Sequence, residues 1–145
     1  MDYRKFNECY YIRMDRDDEI IENILQICQK EQIKSATFSG IGGCKDAEIQ
    51  TFIPETGSFE CQHIQGMLEL ASLNGNVVTD EEGQYYHHTH AVFAYKDDKS
   101  HCMAAGHMKS ITVLYTAEIE LRPVIDGTIS RKYDPETGTG FWDFI

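Results

Sequence analysis

Three of the chain's six histidines, His87, His88 and His90, fall within four positions of the stretch YYHHTHAVFAY, Tyr85 to Tyr95. Its aromatic and β-branched content marks it as a strand, where successive side chains point to opposite faces. Tyr86, His88, His90, Val92 and Ala94 then share one face; Tyr85, His87, Thr89, Ala91, Phe93 and Tyr95 share the other. Two residues along a strand lie roughly 7 Å apart at the backbone, so imidazoles leaning together can reach one metal through bonds of about 2.0–2.1 Å. Taken alone, His88-x-His90 reads first as a pair of surface or hydrogen-bonded histidines, which are commoner than metal ligands, and a metal site needs a third donor.

A third donor is His107, in AAGHM. The turn-forming KDDKS (96–100) predicts a hairpin, and Gly106 permits close backbone approach, which would bring His107 beside the H-x-H strand. Three neutral imidazoles without a fourth protein ligand make an open site that leaves a position for water or a ligand. His63 and His101 lack such a context, and His87 faces away.

These histidines need elements to hold them. From Asp17 to Gln32 the apolar residues Ile20, Ile21, Ile24, Leu25 and Cys28 recur every three or four positions, with acidic residues in the first turn and Lys30 near the end, which predicts one long helix. Period-two segments follow: SATFSGIGG into a glycine turn, AEIQTF, a PETG turn at 54–57, and MLELASL into Asn74-Gly75, a pair suited to a type I′ hairpin. ITVLYTAEIEL places Ile111, Val113, Tyr115, Ala117, Ile119 and Leu121 on one face. Together these predict an α+β domain, a mainly antiparallel, sandwich-like sheet with one long helix packed on it. Tyr85, Tyr86, Tyr95 and Tyr115 are expected in its packing.

With 145 residues, 41% of them apolar and 11% aromatic, the chain has the core material of one domain over 1–145, with a C-terminal tail from about 123. Trp142 and Phe144 in that tail are expected to dock on the body or on a neighbouring subunit. No stretch approaches the roughly 20 apolar residues of a membrane span, and the N-terminus is too charged for a secretory signal, so a cytoplasmic protein is expected. The five cysteines are scattered without a CxxC pair and read as reduced, mostly core residues. A net charge of −11 with only 13 basic residues opposes direct nucleic-acid binding, which rests on Lys and Arg replacing phosphate counterions.

Several motifs in order carry a resemblance. YIRMDRDDEI supplies Arg13 and Glu19 of an arginine-led approach to the helix, with Asp18 where glycine is usual. GIGG stands at 40–43; GMLELASLNG holds Gly66, Glu69, Ser72, Leu73 and Gly75; HTHA holds His88 and His90; AGHM holds His107; TAEI holds Thr116 and Glu118; and RKYDPETGTGF closes the chain. Over nearly its whole length the sequence resembles the plants-and-prokaryotes-conserved (PPC) domain family, in its stand-alone prokaryotic form.

The resemblance implies a homotrimer with a fold similar to that of acetolactate decarboxylase and of a zinc-dependent ester hydrolase. It also implies, as in some prokaryotic members, a divalent metal, zinc foremost, on His88, His90 and His107. Plant members carry AT-hooks and give the family its DNA-binding label; this chain has no R-G-R-P hook. Two functions stay open. One is a trimeric metal-binding module that holds a small ligand or regulates a partner. The other is a metal-dependent hydrolase or lyase, in which the ion activates water or polarises a carbonyl. An enzyme would need a proton-transfer carboxylate: Glu69 is the first candidate and Glu118 the second, although a strand glutamate more often pairs with a cation or faces solvent.

Overall fold

The computed structural model describes residues 1–144. Eight strands and one helix follow in the order β1 (Asp2–Phe6), β2 (Cys9–Met14), α1 (Ile20–Lys30), β3 (Ser35–Ile53), β4 (Ser58–Thr79), β5 (Tyr85–Lys96), β6 (His101–Pro123), β7 (Ile129–Asp134) and β8 (Thr139–Phe144). The chain is thus mostly β with a single short helix. All strands belong to one sheet, in which β5 pairs with both β4 and β6 while β3 also pairs with both. The four long strands therefore hydrogen-bond in a closed circuit, β3–β4–β5–β6, which leaves their central segments without an open edge. The sheet is mixed, because β7 joins β4 through the parallel pair Thr79 and Ser130.

The helix is shorter than its periodicity predicts, 11 residues rather than the span 17–32. Its acidic lead-in is claimed by the sheet: Asp17 N donates to Val113 O at 3.0 Å, and Val113 N donates to Asp18 O at 3.0 Å. Glu19 caps the first turn, one carboxylate oxygen accepting from Glu22 N at 2.6 Å and the other from Ile111 N at 2.7 Å. At the far end Gln32 turns to φ 57° and Ile33 N closes onto Cys28 O at 2.8 Å, so the helix cannot continue. The face made by Ile20, Ile21, Ile24, Ile27 and Cys28 is buried, and each large aliphatic chain placed there contributes roughly 1.5–3 kcal/mol.

Three strand expectations change. SATFSGIGG and AEIQTF fuse into the single strand β3, interrupted by irregularities at Gly40/Gly42 and Cys44/Asp46. Asn74-Gly75 makes no hairpin: β4 runs straight through it, with Asn74 opposite Ser39 and Gly75 opposite Phe38. Tyr115 leaves the buried face, being 65% exposed while Ile111, Val113, Ala117, Ile119 and Leu121 are buried. The cause is a shift in register, for Gly42 pairs with Ala117 but Cys44 with Val113, and the surplus residues of β6 turn Tyr115 outward.

The expected turns at 54–57 and 96–100 form between β3 and β4 and between β5 and β6. The span from 123 onward is ordered as the β7–β8 hairpin up to Phe144; Ile145 lies outside the described residues. Among the cysteines only Cys28 and Cys44 are buried, their thiols pushed up to about 12 by burial. No helix of the described residues is long and apolar enough to cross a membrane.

Candidate metal centre and aromatic cleft

The β5–β6 hairpin brings His90 and His107 into direct register, and strand alternation puts His88 on the same face as His90. The Nε2 atoms of His88 and His90 are 3.2 Å apart. The available nitrogens of His88, His90 and His107 all lie within 4.8 Å of one another, with ring centroids separated by 5.1, 5.3 and 5.5 Å. Nitrogens bound to one tetrahedral metal at about 2.05 Å stand roughly 3.3 Å apart. The His88–His90 spacing already has that value, and the His107 nitrogen lies within 4.8 Å of both.

The electrostatics suit a cation. Burial, aided by the His88 imidazole, holds His90 below the ordinary histidine range, and burial with His88 and His90 nearby does the same for His107. Rings kept neutral are the form that donates a lone pair to a metal. His87 points to the opposite face and shares a hydrogen bond of 3.0 Å with the Thr89 hydroxyl. His63 lies 2.9 Å from both oxygens of Asp46, away from the cluster. The residues therefore fit a divalent transition ion by donor type, number and spacing.

Why the backbone can gather these rings is local. Asn74, Gly75 and Asn76 of β4 lie opposite His90, Thr89 and His88. A Cβ at Gly75 would sit 2.3 Å from Phe38 Cζ and 2.7 Å from the His88 carbonyl oxygen, so only glycine lets β5 approach over the Phe38 ring. Gly106, at φ 156°, leaves no room for a Cβ against Ile49, whose Cγ2 would be 2.8 Å away; it sets the bend preceding His107.

The two carboxylates stand apart from the histidines. Glu69 is registered against Ala94, four residues along β5 from His90 and thus roughly 13 Å distant along the strand. Glu118 lies on the remote half of β6, between Arg13 of β2 and Ile41 of β3. Both are exposed, and they share a separate groove with Gly42, Gly43 and Thr116.

The sequence did not point to what borders the histidines on their other side. The β7–β8 hairpin folds back so that Arg131, Phe141, Trp142 and Phe144 form one wall of a cleft of about 710 Å³ whose opposite wall includes His88 and His107. Trp142 docks on the body, its Nε1 donating to Asn76 Oδ1 at 3.3 Å, and Phe59 stacks on His107 with centroids 6.1 Å apart. Tyr86 also lines the cleft, whereas Tyr85 and Tyr95 pack on the core. One signal was present in the sequence: PETG occurs twice, at 54–57 and again at 135–138. Each copy closes a hairpin by the same device, Gly57 N donating to Ile53 O and Gly138 N to Asp134 O, both at 2.9 Å.

Comparison with known proteins gives a family and a set of similar folds. Residues 1–124 match the Plants and Prokaryotes Conserved (PCC) domain. A crystal structure from Bacteroides thetaiotaomicron, provisionally described as DNA-binding, superposes with a TM-score of 0.87 at 26% identity, covering 99% of this chain and 96% of that one. A plant- and prokaryote-conserved protein of Pyrococcus horikoshii gives 0.81 at 27% identity, over 99% and 94%. A metal-containing protein of Archaeoglobus fulgidus shares the fold, with 0.80 at 23% identity, over 98% of each chain. Comparison with curated proteins gives no match.

Proposed function

The chain belongs to the Plants and Prokaryotes Conserved domain family, and on that premise we propose that it is a homotrimeric module which binds a divalent metal, zinc foremost, through His88, His90 and His107 and holds a small ligand beside it. The observation that carries this reading is the convergence of three imidazoles from two paired strands, their available nitrogens within 4.8 Å of one another. That the Archaeoglobus protein of the same fold contains a metal agrees with it. When bound, the metal supplies an open Lewis-acid position. His88, His90 and His107 hold it, Gly75 and Gly106 let their strands converge, and the β7–β8 hairpin limits access of water from one side.

A binding or regulatory role is favoured over hydrolysis or lyase chemistry because neither Glu69 nor Glu118 lies with the histidines, and among the described residues no carboxylate lines the cleft beside them. A general acid or base must come within hydrogen-bond reach of the reacting group, directly or through one water. Assembly as a trimer is supported by the exposed apolar side chains Phe6, Tyr11, Ile41, Met67 and Tyr115, which a neighbouring copy would cover. The DNA-binding description of relatives is not carried to this chain as a direct activity, since a net charge of −11 repels the phosphate backbone and assembly multiplies it.

Elemental analysis of protein purified without chelator or affinity tag tests the centre. We expect close to one transition metal per subunit, and zinc content that falls with His88→Ala and His107→Ala while the far-ultraviolet circular dichroism is preserved. Metal content that neither substitution changes would overturn the assignment.

A further inference from the structure

We infer that the aromatic cleft between the histidines and the β7–β8 hairpin is a binding site for a small aromatic carboxylate, with Arg131 as the residue that receives its carboxyl group. The inference rests on the metal-centre reading in so far as His88 and His107 wall the cleft; the role of Arg131 is read independently of the ion.

The first observation is charge. The chain has 24 acidic residues among 145, yet among the described residues no acidic side chain lines this cleft, whereas Arg131 does. Arg4, Arg13 and Arg122 are each paired with a carboxylate. Arg131 is half-buried and has no carboxylate within ion-pair distance among the described residues. Asp80, at the nearby β4–β5 turn, is occupied by the backbone N–H groups of Glu82 and Gln84 at 3.0 and 2.9 Å and by the Tyr86 hydroxyl.

The second observation is how the guanidinium is held. Its carbon lies 4.3 Å from the centroid of the Tyr86 ring, a stacking that orders the planar group and leaves its in-plane N–H donors free. Gly140 also lies against it, where a Cβ would fall 2.3 Å from both Arg131 Cζ and Nε. The missing side chain is thus the bed in which the guanidinium lies. A fixed, partly desolvated guanidinium with free donors is the group that binds carboxylate in bidentate fashion.

The third observation is the remaining wall. Phe59, Phe141, Trp142 and Phe144 supply apolar aromatic surface around a volume of about 710 Å³, within the usual range for small-molecule sites. Flat rings are matched by flat rings through offset or edge contacts. A carboxylate at one end and an aryl body along the wall satisfy all three features together.

The probe is phenylacetate, with neutral phenylacetamide as its isosteric control, titrated calorimetrically into zinc-loaded and EDTA-treated protein. Quenching of Trp142, the only tryptophan in the chain, reports occupation of the cleft. We expect phenylacetate to bind at least tenfold more tightly than phenylacetamide, and Arg131→Gln to abolish that preference at unchanged zinc content. Gly140→Ala, which retains the arginine but fills its bed, should act in the same direction, so that a folding defect of one variant leaves the other informative. Equal affinity for the two probes, or no binding of phenylacetate to protein that holds zinc, would overturn the inference and leave the metal centre standing. Failure to hold zinc would remove the metal centre alone, and the charge preference of the metal-free protein would then decide the role of Arg131.

Discussion

Substituting Gly75 by alanine tests whether the β4–β5 contact beneath the histidines is set by backbone approach. The new methyl would lie 2.3 Å from Phe38 Cζ and 2.7 Å from the His88 carbonyl oxygen. Ordinary carbon contacts are about 3.5–4.0 Å, so something must move by roughly 1 Å. Phe38 is 4% exposed and belongs to the core, which leaves the ring little room to swing away. Overpacking of this size costs about 1–3 kcal/mol. Replacing glycine returns at most about 1 kcal/mol through the unfolded chain, so a net loss of about 1–2 kcal/mol is expected. At this chain length that corresponds to a Tm lower by roughly 3–7 °C. The displaced element carries His88, and metal–ligand bonds tolerate only about ±0.2 Å; zinc affinity should fall by roughly 10–100-fold, as it does when the groups that orient ligands are disturbed. Differential scanning calorimetry and competitive zinc titration measure the two effects. A variant with wild-type Tm and wild-type zinc affinity would refute the close-approach account, and a lowered Tm with unaltered zinc affinity would refute its link to the site.

Glu19→Ala removes two short hydrogen bonds that tie α1 to β6 and should cost roughly 2–3 kcal/mol in urea denaturation; a loss of a few tenths would show the cap to be dispensable. Burial holds the Glu19 carboxyl above its ordinary value of 4.5. The native state therefore binds that proton more tightly than the unfolded chain, and this group's contribution to stability declines as pH rises from about 4.5 through the raised folded value. Wild type should accordingly lose more stability across that window than Glu19→Gln, and parallel pH profiles would contradict the shift. Zinc at a thousandfold excess over its Kd should stabilise the wild type by about 4 kcal/mol and leave His107→Ala unaffected, as thermal melts with and without EDTA will show. Electrophoretic mobility of random and A·T-rich duplexes should be unchanged at physiological salt; micromolar binding would break the charge argument.

The sequence was most legible where a feature depends on the period of the backbone. That His88 and His90 share a face while His87 does not follows from strand alternation alone, and the register of His90 with His107 follows from a turn at 96–100 between two strand-forming segments. The buried stripe of α1 was equally plain, because 3.6-residue periodicity is a local property. The helix ends were not, since Asp17 and Asp18 bond to Val113, nearly a hundred residues away in sequence. Asn74-Gly75 carries the composition of a hairpin turn and serves another need for glycine, room for Phe38 and the His88 carbonyl. Tyr115 obeys alternation up to the register shift between Cys44 and Gly42 that reverses its face.

Separation of Glu69 and Glu118 from the histidines, and the arrival of Arg131 and Trp142 beside them, were decided by tertiary structure alone. Residue types and their periodicity determine which side chains share a face, because that is fixed within a strand. Which strand lies opposite which face depends on the closed pairing of β3, β4, β5 and β6 and on the fold-back of β7–β8. Those contacts are settled by burial and hydrogen bonding summed over the whole chain, which no local pattern contains.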